Sequence, residues 1–311
     1  MDSRRVVIAG GTGFIGRALS ARLQADGYEV VALAWYLEPD PQVCGERAEL
    51  VLWDGKCPSD WIEHADGAEA IINLVGENIS SEEWTPRKKE RILNSRVDAA
   101  RAVVRAVREV KNKPRVVLQG SAMSYYGRHQ DEIIDETSGP GEGFFAGVVQ
   151  QMERAASEVE SLGSRFLALR TGVVLGRDGG LLPAMTRSFR RFLGGPNGSG
   201  MHWVSWIHIF DLVSAVRFLM DHESLRGAFN LTSPDPLRQR DLCRVLGRAM
   251  KRPSWLPRPA SWLRYRYGEM AEAVLLTGAR VLPTRLLDSG FHFQFPDIEP
   301  AVKEILARSS V

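Results

Sequence analysis

Residues 5–16 read RVVIAGGTGFIG, an apolar strand candidate that runs straight into a glycine-dense turn. Gly11-x-Gly13-x-x-Gly16 fits the dinucleotide fingerprint, and Gly10-x-x-Gly13-x-x-Gly16 fits its close variant. Glycines here allow a turn too tight for a side chain, let backbone N–H groups approach a pyrophosphate, and let the next helix pack close to the strand. The helix start adds unpaired N–H groups and the positive end of a dipole. Phe14, Ile15, Leu19 and Leu23 continue at helical spacing, so the strand–turn–helix context is present. The competing reading is an ordinary tight βα turn without a ligand.

Outward from the turn, strand-like runs recur at 28–34, 48–53, 69–75, 115–121 and 165–174, with helical stretches near 13–26, 85–111 and 143–163. That rhythm predicts right-handed βαβ units and an α/β fold, a Rossmann-type doubly wound parallel sheet with helices on both faces. Beyond residue 175 the rhythm breaks. Residues 177–201 are rich in Gly, Arg and Pro, residues 205–220 read as a short strand and a helix capped at Asp211, and 227–233 as a strand. From Arg238 the chain reads as mostly helical, divided by prolines at 253, 257, 259 and 283. The expected organisation is a nucleotide-binding domain of residues 1–176, to which 205–232 returns. A smaller, mainly helical C-terminal substrate lobe is expected from 177–204 and 233–311.

Lys and Arg number 40 against 38 Asp and Glu, and a net charge of +2 gives no reason to expect nucleic acid or membrane as a partner. No apolar stretch is long enough to span a bilayer, and the N-terminus lacks a signal-peptide core. Three cysteines without CxxC spacing suggest reduced thiols and a cytoplasmic setting. Six histidines without HxxxH or HExxH spacing give metal catalysis no support. The run Arg87-Lys88-Lys89 reads as a solvated helix face.

The segments together resemble the extended short-chain dehydrogenase/reductase superfamily, and more narrowly its atypical "epimerase family" branch, which is NAD-dependent epimerase/dehydratase-like. The resemblance runs nearly end to end, through GGTGFIG, INLVGENI (72–79), WTPRK and NSR (84–96), SAMSYYG (121–127), LRTGVVLG (169–176), SWIHI (205–209), FNLTSPDP (229–236) and VLPTRLLDSGFHFQFP (281–296). It implies a Rossmann domain that binds NAD(P), a small-molecule substrate lobe, and a homodimer through helices 85–111 and 143–163. The implied cofactor contacts are Gly10, Gly11, Thr12, Gly13, Phe14, Ile15 and Gly16 in the turn, and Leu74, Val75 and Gly76 after the fourth strand. Trp35, Asp54, Arg96 and Ser121 complete the set. The position of the acidic residue that bonds an NAD ribose holds Ala34, which favours NADP over NAD. Trp35 and Tyr36 stand where the branch resembles an Arg-bearing pattern.

The superfamily's usual chemistry uses a Tyr as acid/base and a Lys four residues later that lowers its pKa. The resemblance places these positions at Phe145 and Val149, and residues 127–165 contain no Tyr or Lys. The hydroxyl position holds Ala122, flanked by Ser121 and Ser124. The replacement candidates are therefore Tyr126, Ser121 and Glu77, the last as a carboxylate raised by burial. Asn78, Tyr126, Arg177 and His208 are the substrate-side candidates, with His202 as a weaker one. Two functions fit. One is an oxidoreductase or epimerase acting on a small polar substrate; the other is a non-catalytic NADP(H)-binding sensor or regulatory module.

Overall fold

The computed structural model describes residues 4–35, 44–45 and 48–307. Val6 to Ala9 are completely buried because β1 (Arg5–Ala9) lies inside a parallel sheet covered on both faces. This is why its sequence is a continuous apolar run and not an alternation. Around it stand α1 (Phe14–Ala25), β2 (Glu29–Ala34), β3 (Ala48–Leu52), the short α2 (Ile62–Ala65) and β4 (Ala70–Asn73). Next come α3 (Pro86–Glu109), β5 (Val116–Ala122), β6 (Ile133–Ile134), α4 (Phe144–Ser157), β7 (Arg165–Thr171) and β8 (Val173–Leu175). The remainder is α5 (Leu182–Arg190), β9 (Trp203–Val204), β10 (Trp206–His208), α6 (Ile209–Asp221), β11 (Gly227–Leu231) and β12 (Leu237–Arg238). It ends with α7 (Gln239–Met250), α8 (Ala260–Tyr267), β13 (Arg280–Val281), α9 (Thr284–Asp288) and α10 (Ile298–Ala307).

The main sheet has seven strands in the order β11-β7-β5-β4-β1-β2-β3, every neighbour parallel. The chain moves one way from β1 to β2 and β3, then crosses back to β4, so β1 and β4 flank the switch point where such sheets bind ligands. One apolar layer packs α3 and α4 against the sheet through residues such as Ala99, Val103, Val107 and Val149. The other packs α1 and α6 through Leu19, Leu23, Leu212 and Val216. A third cluster joins α5, α7 and α10 around Phe189 and Trp206. The long α3 starts on Thr85, whose hydroxyl accepts from the Lys88 N–H at 3.2 Å, with Pro86 in the first turn.

The return to the main sheet is made by β11, paired with β7 at the edge. The 165–174 run is two strands, because Gly172 turns the chain: a Cβ there would lie 2.5 Å from the Ser205 carbonyl oxygen. β8 then pairs with β10. α6 is capped by His208 and not by Asp211; His208 Nδ1 accepts from the Phe210 N–H at 3.1 Å. Asp211 lies buried inside the first turn and accepts from the N–H groups of Gln294 and Phe295. Among the described residues no helix is long and apolar enough to cross a membrane.

Candidate functional site

The glycine turn is dictated by close approach. Gly10 has φ +80°, a Cβ on Gly11 would lie 2.6 Å from Ala32 Cβ, and one on Gly16 would lie 2.3 Å from the Gly10 carbonyl oxygen. Gly13 donates to that same oxygen at 3.1 Å and opens α1 without a side-chain cap. The first-turn N–H groups around Phe14, Ile15 and Gly16 thus have no intrahelical acceptor, as at any helix start. Thr12 and Gly13 are accessible and no carboxylate stands in the turn, so the cradle fits a dinucleotide pyrophosphate. The Phe14 ring packs against the glycine-rich loop after β8, where a Cβ on Gly179 would lie 2.3 Å from Phe14 Cγ. Phe14 therefore offers a nucleotide its backbone, while its side chain joins the turn to the 176–180 loop.

At the adjacent strand end, Trp35 is 67% exposed and its ring lies over the next turn, with Cζ3 3.3 Å from where a Gly55 Cβ would be. Asp54 builds that turn, its Oδ1 accepting from Lys56 N and Cys57 N at 2.8 and 2.9 Å. The Cys57 and Lys56 N–H groups hold its carboxyl below the usual range. Tyr36 lies outside the described residues.

Leu74, Val75 and Gly76 follow β4 at the other side of the switch point. Beneath them, buried Asn73 donates to Gln119 Oε1 at 2.9 Å and accepts from the Val75 N–H. Gly76 is accessible and carries the Arg96 guanidinium so closely that a Cβ would lie 2.8 Å from its Cζ. Arg96 donates to the Ile92 and Glu77 carbonyl oxygens, both at 3.1 Å. Its Cζ also stands 5.4 Å from the Phe145 ring centroid. Burial lowers its pKa to about 10, against the counter-pull of Glu77. A cation thus sits beside the ring at the position where the resemblance leads one to expect a phenol. Phe145 packs against Trp84, and Val149 is buried in the α3–α4 core.

The candidate acid/base groups fare unequally. Glu77 is not raised by burial: Lys88 Nζ donates to its Oε1 at 2.6 Å and pulls its pKa down. Lys88 is itself completely buried, with Ser81 Oγ at 2.8 Å and Glu82 at 3.3 Å, so the expected solvated face at 87–89 does not include it. Asn78 is exposed and accepts from Ser80 in a local turn. Tyr126 is completely buried; it donates to Asn230 Oδ1 at 2.7 Å and accepts from Arg170 Nη1 at 3.0 Å. Burial pushes its phenol up to about 12, so the expectation of Tyr126 as an acid/base or substrate contact is corrected: it is enclosed and its proton is committed. Ser121 is accessible in part, and its hydroxyl donates to Glu153 Oε1 at 2.5 Å. Glu153 in turn receives Arg170 bidentately at 2.9 and 3.0 Å.

His208 and Arg177 lie elsewhere. His208 Nε2 meets Glu304 Oε2 at 3.1 Å and its ring stacks on Phe295. Both residues border a cleft of about 870 Å³ between α1, α6 and α10, whose lining includes none of Gly76, Arg96, Ser121 or Phe145. They thus share a cleft with each other, separate from the residues gathered around Gly76. His202 is held neutral, burial taking it down to about 4. No group of side chains among the described residues could hold a metal. Glu153, Lys88 and Asn230 were not singled out as functional from the sequence; their only signal is that each lies in or beside a motif whose members meet in space.

The model of the NAD dependent epimerase/dehydratase family matches residues 6–231, and a domain of unknown function, DUF1731, matches 258–305. The chain is 35% identical over 305 residues to the chloroplastic epimerase family protein SDR39U1 homolog of Arabidopsis thaliana, covering 97% of this chain and 86% of that one. It is 32% identical to epimerase family protein YfhF of Bacillus subtilis, covering 97% and 98%. The crystal structure of human SDR39U1 with NADPH superposes with a TM-score of 0.85 at 31% identity, covering 97% and 99%. Glycine turn, switch-point crevice and end-to-end similarity coincide, and the chain belongs to the NAD dependent epimerase/dehydratase family.

Proposed function

We propose that the protein is an NADP(H)-binding oxidoreductase or epimerase-like enzyme that acts on a small polar carbonyl or carbinol, with Arg96 and Ser121 at its reacting end. The observation that carries this reading is the Arg96 guanidinium laid over Gly76 and beside Phe145, at the end of the crevice that the glycine turn opens. The turn N–H groups would hold the pyrophosphate and Trp35 the adenine or its ribose. The absence of a carboxylate at Ala34, together with the NADPH in the human relative, supports NADP over NAD. When bound, the nicotinamide supplies or accepts hydride. Arg96 offers a fixed cation and free donors to a substrate oxygen that gains negative charge. Ser121 gives its proton to Glu153, so it presents lone pairs and is suited to accept from a substrate hydroxyl. Asn78 lies in the adjoining exposed loop and is a substrate-side candidate, as are Arg177 and His208 on their own cleft.

A second reading, a non-catalytic NADP(H) sensor, is favoured by one specific observation: Tyr126, the phenol considered as a replacement acid/base, is completely buried. The test is to load the purified protein with NADPH and offer a panel of aldehydes, ketones and sugars while the reduced cofactor's absorbance is followed. Turnover that falls by roughly tenfold or more in Arg96→Lys, with NADPH still bound, supports the enzyme. Tight NADPH binding with no turnover across the panel supports the sensor.

A further inference from the structure

We propose that the face built by the end of α5 and residues 251–267 docks onto an anionic lipid bilayer. The chain has no Asp or Glu from 179 to 210 or from 242 to 268, yet these segments carry ten Lys and Arg. They are joined side by side: Leu256 N donates to Gly194 O at 3.2 Å, Arg258 N to Pro196 O and Gly198 N to Arg258 O, both at 2.8 Å. Arg187, Arg190, Arg191, Lys251, Arg252 and Arg266 are exposed and make no ion pair among the described residues. In a protein of net charge +2, these unpaired cations give the two joined segments a local excess of positive charge, with Asp241 the carboxylate bordering Lys251 and Arg252.

Interleaved with them are large apolar side chains in solvent: Phe192, Leu193, Trp255 (73% exposed), Leu256, Trp262 and Tyr265 (91% exposed). Phe192 is held with φ +61°, a left-handed conformation unfavourable for a bulky residue, and the Arg252 guanidinium lies 4.6 Å from its ring centroid. Trp and Tyr beside Lys and Arg is the composition of a membrane interface, where rings enter the headgroup layer and cations meet lipid phosphates. Exposed aliphatic Leu193 and Leu256 gain from hydrocarbon and offer no stacking face, which favours a bilayer over a nucleic acid. A second copy on a two-fold axis would set the same cations against each other, which disfavours a self-interface.

The test is flotation of the full chain with vesicles of phosphatidylcholine alone or with about one-third phosphatidylglycerol. The protein is expected to float with the anionic vesicles only, and less as salt rises. Arg190→Glu/Arg191→Glu and Lys251→Glu/Arg252→Glu are each expected to weaken binding by roughly tenfold or more, at about one kcal/mol per cation. Trp255→Ala is expected to weaken it without altering charge. Arg101→Glu/Lys111→Glu, an equal charge change on exposed positions of α3 and just beyond it, is expected to float like the parent, and all variants to keep their NADPH affinity. No flotation with anionic vesicles overturns the proposal. So does an equal loss in the α3 variant, or binding to a single-stranded oligonucleotide by a protein that ignores the vesicles.

Discussion

Tyr126 shows how a residue can look chemical in sequence and be structural in space. A tyrosine in a SYYG motif is what a search for a lost acid/base finds, but the phenol closes a buried chain running from Ser121 through Glu153 and Arg170 to Asn230. Tyr126→Phe is expected to cost about 1–3 kcal/mol by stranding Arg170 and Asn230, with NADPH affinity unchanged. Because the folded phenol is raised from 10.0 to about 12, its contribution is complete below the lower value and is lost as pH climbs through the window between them. Urea denaturation should therefore show the parent's advantage over Tyr126→Phe shrinking across that window. Lys88 errs in the opposite sense, bland in sequence and central in space. Lys88→Met is expected to destabilise by about 1–3 kcal/mol near neutral pH. Glu77 is depressed by Lys88, so the pair stabilises above the ordinary glutamate range and its contribution disappears as pH falls through the folded value; the gap between parent and variant should close in acid.

At the scale of elements, the buried parallel strands were legible because strands covered on both faces must be apolar throughout, and the first helix because its spacing was helical. The bounds of β2, β3 and β5 fall within one residue of the runs at 28–34, 48–53 and 115–121. The misplaced cap of α6 and the undivided 165–174 strand have a common cause: both depend on contacts from distant chain, Gln294 and Phe295 on Asp211, Ser205 on Gly172. Local sequence carries no record of such neighbours. The glycine turn is the contrary case, since its close approaches lie within a few residues or between adjacent strands. Gly16→Ala is accordingly expected to push α1 off the turn, lowering stability by about 1–3 kcal/mol and NADPH affinity with it; a cofactor titration beside a melting curve measures both.

Across the whole molecule, overall charge concealed its distribution: a sum of +2 includes a face with no carboxylate in either of its segments. The site was half legible for a similar reason. Its proposed nucleotide end is a local motif, whereas its proposed reacting end is assembled from α3, α4, β5 and the loop after β4, and only the fold brings Arg96 over Gly76. A ligand that binds only the folded protein stabilises it by mass action, about 2.7 kcal/mol at roughly a hundred times its Kd, so NADPH should raise the melting temperature and NADH less so. The most direct test of the account is calorimetric titration of NADPH and NADH into the parent and into Gly13→Glu. Gly13 is exposed with an ordinary φ of −72°, and a Cβ there meets only the Gly10 carbonyl oxygen at 3.2 Å, so the added side chain asks a small local shift of the turn and places negative charge where the pyrophosphate is proposed to lie. The parent is expected to bind NADPH more tightly than NADH and Gly13→Glu to lose both, with the variant's unliganded melting curve close to the parent's. Undiminished NADPH binding by a folded Gly13→Glu, or no binding by the parent, would contradict it.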